Sequence, residues 1–519
     1  MRPPIPALRS PLPATRPDSK LGVLGPTALA LLVASLLLIS CGFHPPEPSP
    51  SHSPEQTAEN LLLITVDTLR ADHLGYHGYP RDTSPFLDQL AARSVRYLDA
   101  GAQASVTLPS VASLLTARYP RSNGVERNDG RLAAAETTLA EVLRNKGFLT
   151  AALTTNGNLV PSRGVDQGFQ RFTFLPEADA AGLTEKALPE LEALLEQALE
   201  QAPEHETKPR WFLWLHYIDP HGPYDPPPDY ADRYVRDPHY DGSVGVRLRV
   251  DEKRSIGWNQ GLGGVPHYQR RLFLEHPRRR QRDFYIARYD AEIRYLDDQL
   301  RRLFHLLGEA GHLDRTLVAF TADHGEALGE HDYFFGHGWY VFEHQVHVPL
   351  LLHLQNEGTT GEAGNRSLEP RSIEGPVALV DLAPTVLELL GIEAPPSFQG
   401  RSLAPWAGEA SAPRRAVYST TPDALPHRHQ SLRLGPWKYL RDQRRPKDPR
   451  REQLFHLDRD PGELQSLAEE EPEMLEELRR LFNAGPWLAP PQRPEGTTEA
   501  PAAELSEEEK ESLRSLGYL

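Results

Sequence analysis

Cysteine and positive charge are both scarce in this chain. The single cysteine, Cys41, excludes an intrachain disulfide and every metal or iron–sulfur site that needs several thiolates. Lysine and arginine number 56 against 72 aspartate and glutamate residues, which leaves a formal net charge of −16. Binding of nucleic acid depends on neutralising phosphates with basic side chains. We therefore expect no nucleic acid among the partners of this protein.

The rest of the composition is that of a large globular protein. The chain has 519 residues, of which 39% are hydrophobic and 25% are charged, and these values exclude general disorder. This length exceeds one ordinary domain and accommodates a large domain with a smaller companion. The 49 prolines and 38 glycines predict many loops and at least one proline-rich tether.

The first forty residues have the pattern of an export signal. Basic residues precede an apolar run over 28–39, which leads into the sequence LISC at Cys41. This ending resembles the bacterial lipobox, in which cleavage leaves a lipid-modified cysteine at the new N-terminus. The alternative is an uncleaved anchor over 21–40, since that stretch approaches the ~20 residues that span a bilayer, but Pro26 argues against it. We expect a signal peptide over 1–40 and a lipoprotein of the bacterial cell envelope, held to the membrane by its lipid.

Changes in composition predict the organisation of the mature chain. A proline-rich tether over 41–58 precedes a large α/β domain over 59–395. Short strands and one amphipathic helix follow and predict a smaller α+β subdomain over 396–488. The acidic, proline-rich end over 489–519 has the composition of a mobile tail with a short helix.

Three short apolar runs, at 60–66, 211–218 and 316–322, have the pattern of buried strands, and each leads directly into polar residues. Helical periodicity over 284–307 predicts a crossover helix between the last two strands. We therefore expect a central mixed, mainly parallel sheet flanked by helices. Ligands of such sheets bind beyond the carboxyl ends of the strands, so this edge is the expected site.

Three residues at these strand ends are candidate metal ligands. Asp67 follows the first strand, and Asp323 and His324 follow the third. Carboxylate oxygen and imidazole nitrogen suit a hard or borderline divalent cation. Taken alone, Asp67 can equally cap a turn or a helix. The adjacent Asp323 and His324 are the stronger signal, because such a pair directly after a buried strand has few structural reasons to exist.

Thr107 is a candidate nucleophile. It precedes a helix that the sequence predicts over 112–118, with Pro109 near the first turn. Unpaired backbone N–H groups at a helix N-terminus stabilise an anion, so an alkoxide or a bound phosphate-like group is favoured there. The alternative is a threonine that only caps the helix, and the spacing by itself favours that alternative.

Six of the 21 histidines lie between His324 and His353, a density that no hydrophobic core requires. His337, between two glycines, and His221, before a proline-rich turn, lie in loops that a substrate can approach. Either can donate a proton to a leaving oxygen or neutralise charge in the transition state. Three other histidines of this segment lie on a helix–strand pattern, and we expect them to be structural: His344, His347 and His353.

Several segments in order resemble the sulfatase family of the alkaline phosphatase superfamily. They are VDTLRADHLGYHGY, TSPFLDQLA, TLPSVASLLTARYP, LHYIDPHGPYDPP, TADHGEALGEHDYFFGHGWYVFEHQVHVPLLL and LFHLDRDPGEL. The resemblance covers roughly 60–481 and implies an alkaline-phosphatase-like α/β sandwich with a smaller C-terminal subdomain. It implies metal ligation by the set Asp67, Thr107, Asp323 and His324. It also implies that Thr107 holds the nucleophile position, with His221 and His337 around the transferred group and Asn128 on the substrate side.

The chain departs from this family at the nucleophile. Sulfatases proper carry cysteine or serine, then proline two residues on and arginine two beyond that, whereas this chain has Thr107, Pro109 and Val111. Oxidation of a threonine gives a ketone, so we expect no formylglycine. Thr68 stands where many sulfatases have a second aspartate, which favours a compact site for one divalent ion. The imidazole ligand favours manganese or zinc, with calcium or magnesium as alternatives.

Three functions fit this pattern. The first is a metal-dependent hydrolase of sulfuric or phosphoric esters, whose substrate is a small molecule or an ester on a glycan or lipid headgroup. Phosphorus is favoured, because a threonine ester cannot be released by the elimination open to formylglycine. The second is a transferase of the phosphoglycerol or phosphoethanolamine type that acts on an envelope glycan or lipid. The third is a catalytically silent, anion-binding lipoprotein.

Overall fold

A computed structural model describes the chain over 58–201, 209–239, 245, 269–276, 281–354, 368–404, 415–423, 428–443, 447–448, 451–491 and 505–516. The predicted signal peptide, Cys41 and the tether up to residue 57 lie outside the described residues. Within those residues, no helix combines the length and the apolar character that crossing a membrane requires.

The strands and helices alternate along most of the chain. The strands are β1 (Asn60–Val66), β2 (Val95–Gly101), β3 (Leu149–Thr154), β4 (Arg171–Phe174), β5 (Trp211–Tyr217), β6 (Thr316–Ala322), β7 (Ala327–Leu328), β8 (Phe334–Gly336), β9 (His347–Leu354), β10 (Arg371–Ala378), β11 (Ala416–Thr420), β12 (His429–Leu434), β13 (Trp437–Asp442) and β14 (Glu452–His456). The helices are α1 (Pro85–Ala91), α2 (Thr107–Thr116), α3 (Pro120–Asn123), α4 (Leu139–Asn145), α5 (Ala180–Gln201), α6 (Pro228–Ala231), α7 (Arg270–Glu275), α8 (Arg282–Glu309), α9 (Glu343–Val346), α10 (Leu382–Leu389), α11 (Pro472–Ala484) and α12 (Glu507–Ser515).

An eight-stranded sheet forms the centre of the molecule. Its strand order is β10-β2-β9-β6-β1-β5-β3-β4. All neighbouring strands are parallel except β9, which is antiparallel to both β2 and β6. The prediction of a mixed, mainly parallel sheet is confirmed. Since β1 lies between β5 and β6, the carboxyl ends of the three predicted strands meet at one edge.

The long helix α8 shows how the sequence covers this sheet. Apolar side chains recur along it at helical spacing, and those at Tyr285, Ile293 and Leu300 are buried at 0–1% exposure. Burial of one such side chain stabilises the fold by about 2 kcal/mol. Asp297 on the same helix accepts hydrogen bonds from the backbone N–H groups of Phe86 and Leu87, each at 2.8 Å. It thereby caps the first turn of α1.

A smaller antiparallel sheet, in the order β11-β12-β13-β14, forms the predicted C-terminal subdomain with helix α11. Buried aromatic side chains fill the space between this sheet and the helix, among them Tyr439, Phe482 and Trp487. The small sheet is fixed directly to the segment that leads to Thr107. Thr420 at the end of β11 accepts a backbone hydrogen bond from Ser105 N at 3.3 Å.

One sequence expectation needs correction. Helix α2 begins at Thr107 and ends at Thr116, whereas we expected a helix over 112–118. Proline is tolerated in a first helical turn, so Pro109 does not delay the helix start. The acidic end forms the expected short helix α12, and Leu513 on this helix is buried at only 2% exposure.

Candidate active site

The ends of β1 and β6 bring Asp67, Asp323 and His324 together. All three side chains are buried, at 0–1% exposure. The His324 Nε2 atom lies 3.5 Å from Asp323 Oδ2 and 3.8 Å from Asp67 Oδ1. The parallel register of the two strands produces this arrangement, because it places residues 66 and 322 side by side.

Thr107 lies beside this group, at the first position of α2. Its Oγ1 atom is 3.4 Å from His324 Nε2, and the side chain is fully buried. The N-terminal turn of α2 therefore points at the same place as the carboxyl edge of the sheet. Asn128 supports that turn, since its Oδ1 atom accepts a hydrogen bond from Leu108 N at 3.0 Å.

The hydrogen bonds of His324 define which of its nitrogens can bind a cation. Nδ1 lies 2.9 Å from the carbonyl oxygen of Gly325, which can only accept, so Nδ1 carries the hydrogen. Burial, assisted by His337, lowers the pKa of His324 to about 3 against the opposing charge of Asp67. The imidazole is therefore neutral at neutral pH, and its Nε2 lone pair faces Asp67, Asp323 and Thr107.

His216 on β5 is a site residue to which the sequence analysis gave no role. One atom from each of Asp67, His216 and Asp323 lies within 4.8 Å of the others. Trp214 Nε1 donates to Thr65 Oγ1 at 2.9 Å, and that oxygen lies 2.8 Å from His216 Nδ1. The Nε2 atom of His216 lies 3.6 Å from Asp67 Oδ2 and is buried without a hydrogen-bond partner among the described residues, so it joins Asp67 and Asp323 in a group of donors that fits a metal ion.

The two carboxylates have opposite electrostatic environments. Burial would raise the pKa of Asp67, but the nearby imidazoles of His221, His216 and His324 outweigh it and hold the pKa below its ordinary value. Burial and the charge of Asp67 hold the pKa of Asp323 well above its ordinary value. Two buried carboxyl groups this close repel each other when both are ionised. A cation between them would remove that repulsion.

Unpartnered polar atoms at this edge fit a bound divalent cation. Among the described residues, Asp67 Oδ1 and Asp323 Oδ2 are buried without a hydrogen-bond partner. Buried polar atoms without partners are uncommon in proteins, because each costs about 1–3 kcal/mol. With the Nε2 lone pair of His324 and the Thr107 hydroxyl, they form a set of oxygen and nitrogen donors that suits manganese or zinc.

Asn156 fixes the other oxygen of Asp67. It follows β3, is fully buried, and its Nδ2 atom donates a short hydrogen bond to Asp67 Oδ2. The sequence analysis missed this residue. A polar residue just after an apolar strand was the signal, and it is the same signal that identified Asp67.

The predicted loop histidines reach the same site. The rings of His221 and His337 lie 5.1 Å apart, and the ring of His337 lies 4.5 Å from that of His324. Burial lowers the pKa of His337 to about 4, with Asp67 opposing. Its Nδ1 atom is 3.4 Å from Glu326 Oε2, a buried carboxyl to which the sequence analysis gave no role.

Two of the three histidines expected to be structural, His347 and His353, have backbone partners outside this group. His347 Nε2 lies 2.8 Å from the carbonyl oxygen of Leu98, and His353 Nδ1 lies 3.0 Å from that of Arg93. His344 contacts the Gln345 side chain at 3.2 Å.

Comparisons with known proteins identify the family of this arrangement. The family model for Sulfatase matches residues 59–392. A second model, for the C-terminal part of N-sulphoglucosamine sulphohydrolase, matches residues 329–483. Among individual relatives, choline-sulfatase from Rhizobium meliloti is 28% identical over 450 residues, which cover 79% of this chain and 82% of that protein.

Solved structures share the fold. BT4656, in complex with its substrate D-glucosamine-2-N, 6-O-disulfate, aligns with a TM-score of 0.62 and 18% identity. That alignment covers 82% of this chain and 97% of the other. A phosphonate monoester hydrolase from Agrobacterium radiobacter aligns with a TM-score of 0.58 and 21% identity, over 82% of this chain and 95% of its own.

Proposed function

The chain belongs to the sulfatase family, and from this membership and the geometry of the site we propose that it is a metal-dependent ester hydrolase with Thr107 as its nucleophile. The observation that carries the proposal is the position of Thr107 Oγ1, 3.4 Å from His324 Nε2 and beside the unpartnered oxygens of Asp67 and Asp323. Asp67, Asp323, His324 and Thr107 would hold the cation. When bound, it would polarise the ester and lower the pKa of the threonine hydroxyl.

Each residue of the site has a separate role in the proposed reaction. The Thr107 oxygen attacks the phosphorus or sulfur atom, and the bond from that atom to the alcohol oxygen breaks. A neutral His221 or His337 takes up the proton that the Thr107 hydroxyl loses and returns it to the oxygen of the departing alcohol. Water then attacks the threonine ester, which releases the acid and restores the hydroxyl. The helix N-terminus at Thr107 favours the negative charge that develops on the transferred group.

The nucleophile favours phosphorus over sulfur. Formylglycine requires a cysteine or serine precursor, and a threonine cannot form it. The ester on Thr107 therefore leaves only by direct attack of water on the transferred atom. A phosphonate monoester hydrolase with this fold supports phosphoric and phosphonic esters as substrates. Sulfuric esters are the second candidate, and the sulfatase relatives favour them.

We propose that the protein acts at the bacterial cell envelope, where a lipid on Cys41 holds it to the membrane. The lipobox-like sequence before Cys41 supports this location. Metabolic labelling with a radioactive or clickable palmitate should mark the wild-type protein and leave Cys41→Ser unmarked. Equal labelling of both proteins would contradict the assignment of Cys41.

A substrate panel tests the catalytic proposal. The purified full chain should cleave at least one of an aryl phosphodiester, an aryl phosphonate and an aryl sulfate after addition of manganese or zinc. Thr107→Ala should abolish turnover, while Thr107→Ser, which keeps a hydroxyl, should retain a measurable fraction. Cleavage of the sulfate alone would overturn the preference for phosphorus. Absence of both activity and bound metal would support the anion-binding alternative.

A further inference from the structure

The C-terminal helix α12 is packed on a turn beside the active site. Ser512 and Leu513 of this helix are only 3% and 2% exposed. A Cβ atom added to Gly157 would lie 3.0 Å from Ser512 Oγ and 3.1 Å from Leu513 Cγ. The helix therefore lies directly over Gly157, at a distance that a Cβ atom would make tighter than most side-chain contacts in proteins.

Glu509 fixes the start of α12. A reciprocal pair of hydrogen bonds closes the helix N-terminus: Glu509 N donates to Ser506 Oγ at 3.1 Å, and Ser506 N donates to Glu509 Oε2 at 2.7 Å. Glu509 Oε1 also accepts a hydrogen bond from Ser162 Oγ at 3.2 Å. An isolated helix of nine residues is marginal in water, so these contacts with the domain stabilise it.

The turn under α12 carries Asn156. The Oδ1 atom of Asn156 accepts a hydrogen bond from Asn158 N at 2.7 Å, and its carbonyl oxygen accepts one from Leu159 N at 2.8 Å. Gly157 lies between the two asparagines. The contact of α12 with Gly157 therefore acts on the same turn that positions the Asn156 amide.

Asn156 in turn orients the carboxylate of Asp67. Its Nδ2 atom donates to Asp67 Oδ2, while Asp67 Oδ1 has no hydrogen-bond partner among the described residues. The amide thus decides which carboxylate oxygen is presented to the cation. Partners that orient a metal ligand typically change metal affinity or activity about 10- to 100-fold when they are removed.

We propose that α12 is a positioning element of the metal site, which acts through Gly157 and Asn156 on the carboxylate of Asp67. This inference rests on the proposed function, because it needs Asp67 to be a metal ligand. Leu513 is the positioning residue that holds the helix on the turn. None of these residues needs to touch the substrate.

Metal affinity of the full chain, purified in detergent, provides the test. Calorimetric titration with manganese or zinc should give a dissociation constant about 10-fold or more weaker for Leu513→Gln than for the wild type. Leu513→Met keeps an apolar side chain of similar volume and should restore wild-type affinity. Glu508→Gln is the matched control, since Glu508 lies on the same helix and is exposed.

A purely structural role of α12 predicts a different result. Leu513→Gln would then lower the unfolding temperature of the metal-free protein and leave the dissociation constant of the folded protein unchanged. That result, in a wild type that binds metal and turns over substrate, would overturn the inference and leave the proposed function intact. A wild type that binds neither cation would overturn both.

A double-mutant cycle tests the route through the turn. Asn156→Ala alone should weaken metal binding to a similar degree as Leu513→Gln. If α12 acts through Asn156, the double variant should bind no more weakly than Asn156→Ala alone. Fully additive effects on the dissociation constant would show that Leu513 does not act through Asn156.

Discussion

Buried charge is arranged in opposite ways at the carboxyl edge of the eight-stranded sheet and at the junction between that sheet and the four-stranded one. At the edge, Asp67 Oδ1 and Asp323 Oδ2 are buried and have no hydrogen-bond partner in the part of the chain that the structure describes. At the junction, Lys438 Nζ and Arg433 Nη1 lie 2.7 and 2.9 Å from the two oxygens of Glu343. The first arrangement needs a cation from outside, whereas the second supplies its own cations.

The junction network also joins the two sheets physically. Arg433 on β12 contacts Asp99 on β2 at 2.8 Å, in addition to Glu343. Lys438 on β13 is only 1% exposed and so depends on its carboxylate partners. The comparison teaches that the buried carboxylates of Asp67 and Asp323 have only histidines as ion-pair partners among the described residues, while the buried carboxylate of Glu343 has a lysine and an arginine. Substitutions in the two regions should therefore separate activity from stability.

Asp323→Asn should produce the largest effect of all. The substitution keeps the size of the side chain and removes one charged oxygen from the proposed metal site. We expect turnover to fall by at least about 10³-fold with little change in the unfolding temperature of the metal-free protein. The wild type should gain about 2.7 kcal/mol of unfolding free energy at a metal concentration 100 times the dissociation constant, and the variant should gain much less.

Asp297→Asn is the matched control for this prediction. Asp297 is also a buried carboxyl group, but it caps helix α1 and lies outside the site. Its substitution should lower the unfolding temperature and leave the metal-induced stabilisation intact. If both variants lost the same amount of metal-induced stabilisation, the claim that Asp323 binds the metal ion and Asp297 does not would be contradicted.

Glu343→Gln should show the reverse pattern. Removal of one partner leaves Lys438 and Arg433 buried with less compensation, so the unfolding free energy should fall by about 3 kcal/mol. The turnover number per folded molecule should stay within a few-fold of wild type. Denaturant unfolding measures the unfolding free energy. Initial rates, divided by the concentration of metal-binding sites from a titration, measure the turnover number per folded molecule.

The pH dependence of stability provides a second measurement on Glu343. Burial opposes ionisation, but Lys438 and Arg433 outweigh it and lower the pKa of Glu343 below its ordinary value of 4.5. Because the folded protein then binds fewer protons than the unfolded chain, this stabilisation is present above pH 4.5 and is lost as the pH falls below it. Glu343→Gln should reduce the steepness of that loss, and an unchanged acid transition would contradict the assignment.

These two regions also differ in how far the sequence could predict them. Asp67, Asp323 and His324 follow apolar runs whose pattern gave the strands, and the parallel register then placed them together. Thr107 and His337 came from the resemblance to the family more than from spacing, because a helix N-terminus or a glycine-flanked loop is common in itself.

His216, Asn156 and the junction network were beyond the sequence analysis for a physical reason. His216 is a polar residue inside an apolar strand, but its role depends on Thr65, which is 151 positions away in the chain. The ion pairs of Glu343 join residues about 90 positions apart, and charged residues of either sign are frequent along the chain. The packing of α12 was missed because acidic composition predicts disorder, whereas Ser512 and Leu513 of this helix are buried and Glu509 contacts Ser162.

His353→Gln should have the smallest effect, and it tests the comparison within the dense group of histidines. His353 lies on β9 at 8% exposure, and its Nδ1 atom bonds to the carbonyl oxygen of Arg93 at 3.0 Å. A neutral hydrogen bond of this kind contributes about 1 kcal/mol, so the unfolding free energy should fall by about that amount. Turnover should stay within about two-fold of wild type, whereas His337→Gln should lower it at least about 100-fold. A large loss of turnover in His353→Gln with unchanged stability would mean that backbone partners do not distinguish structural from functional histidines here.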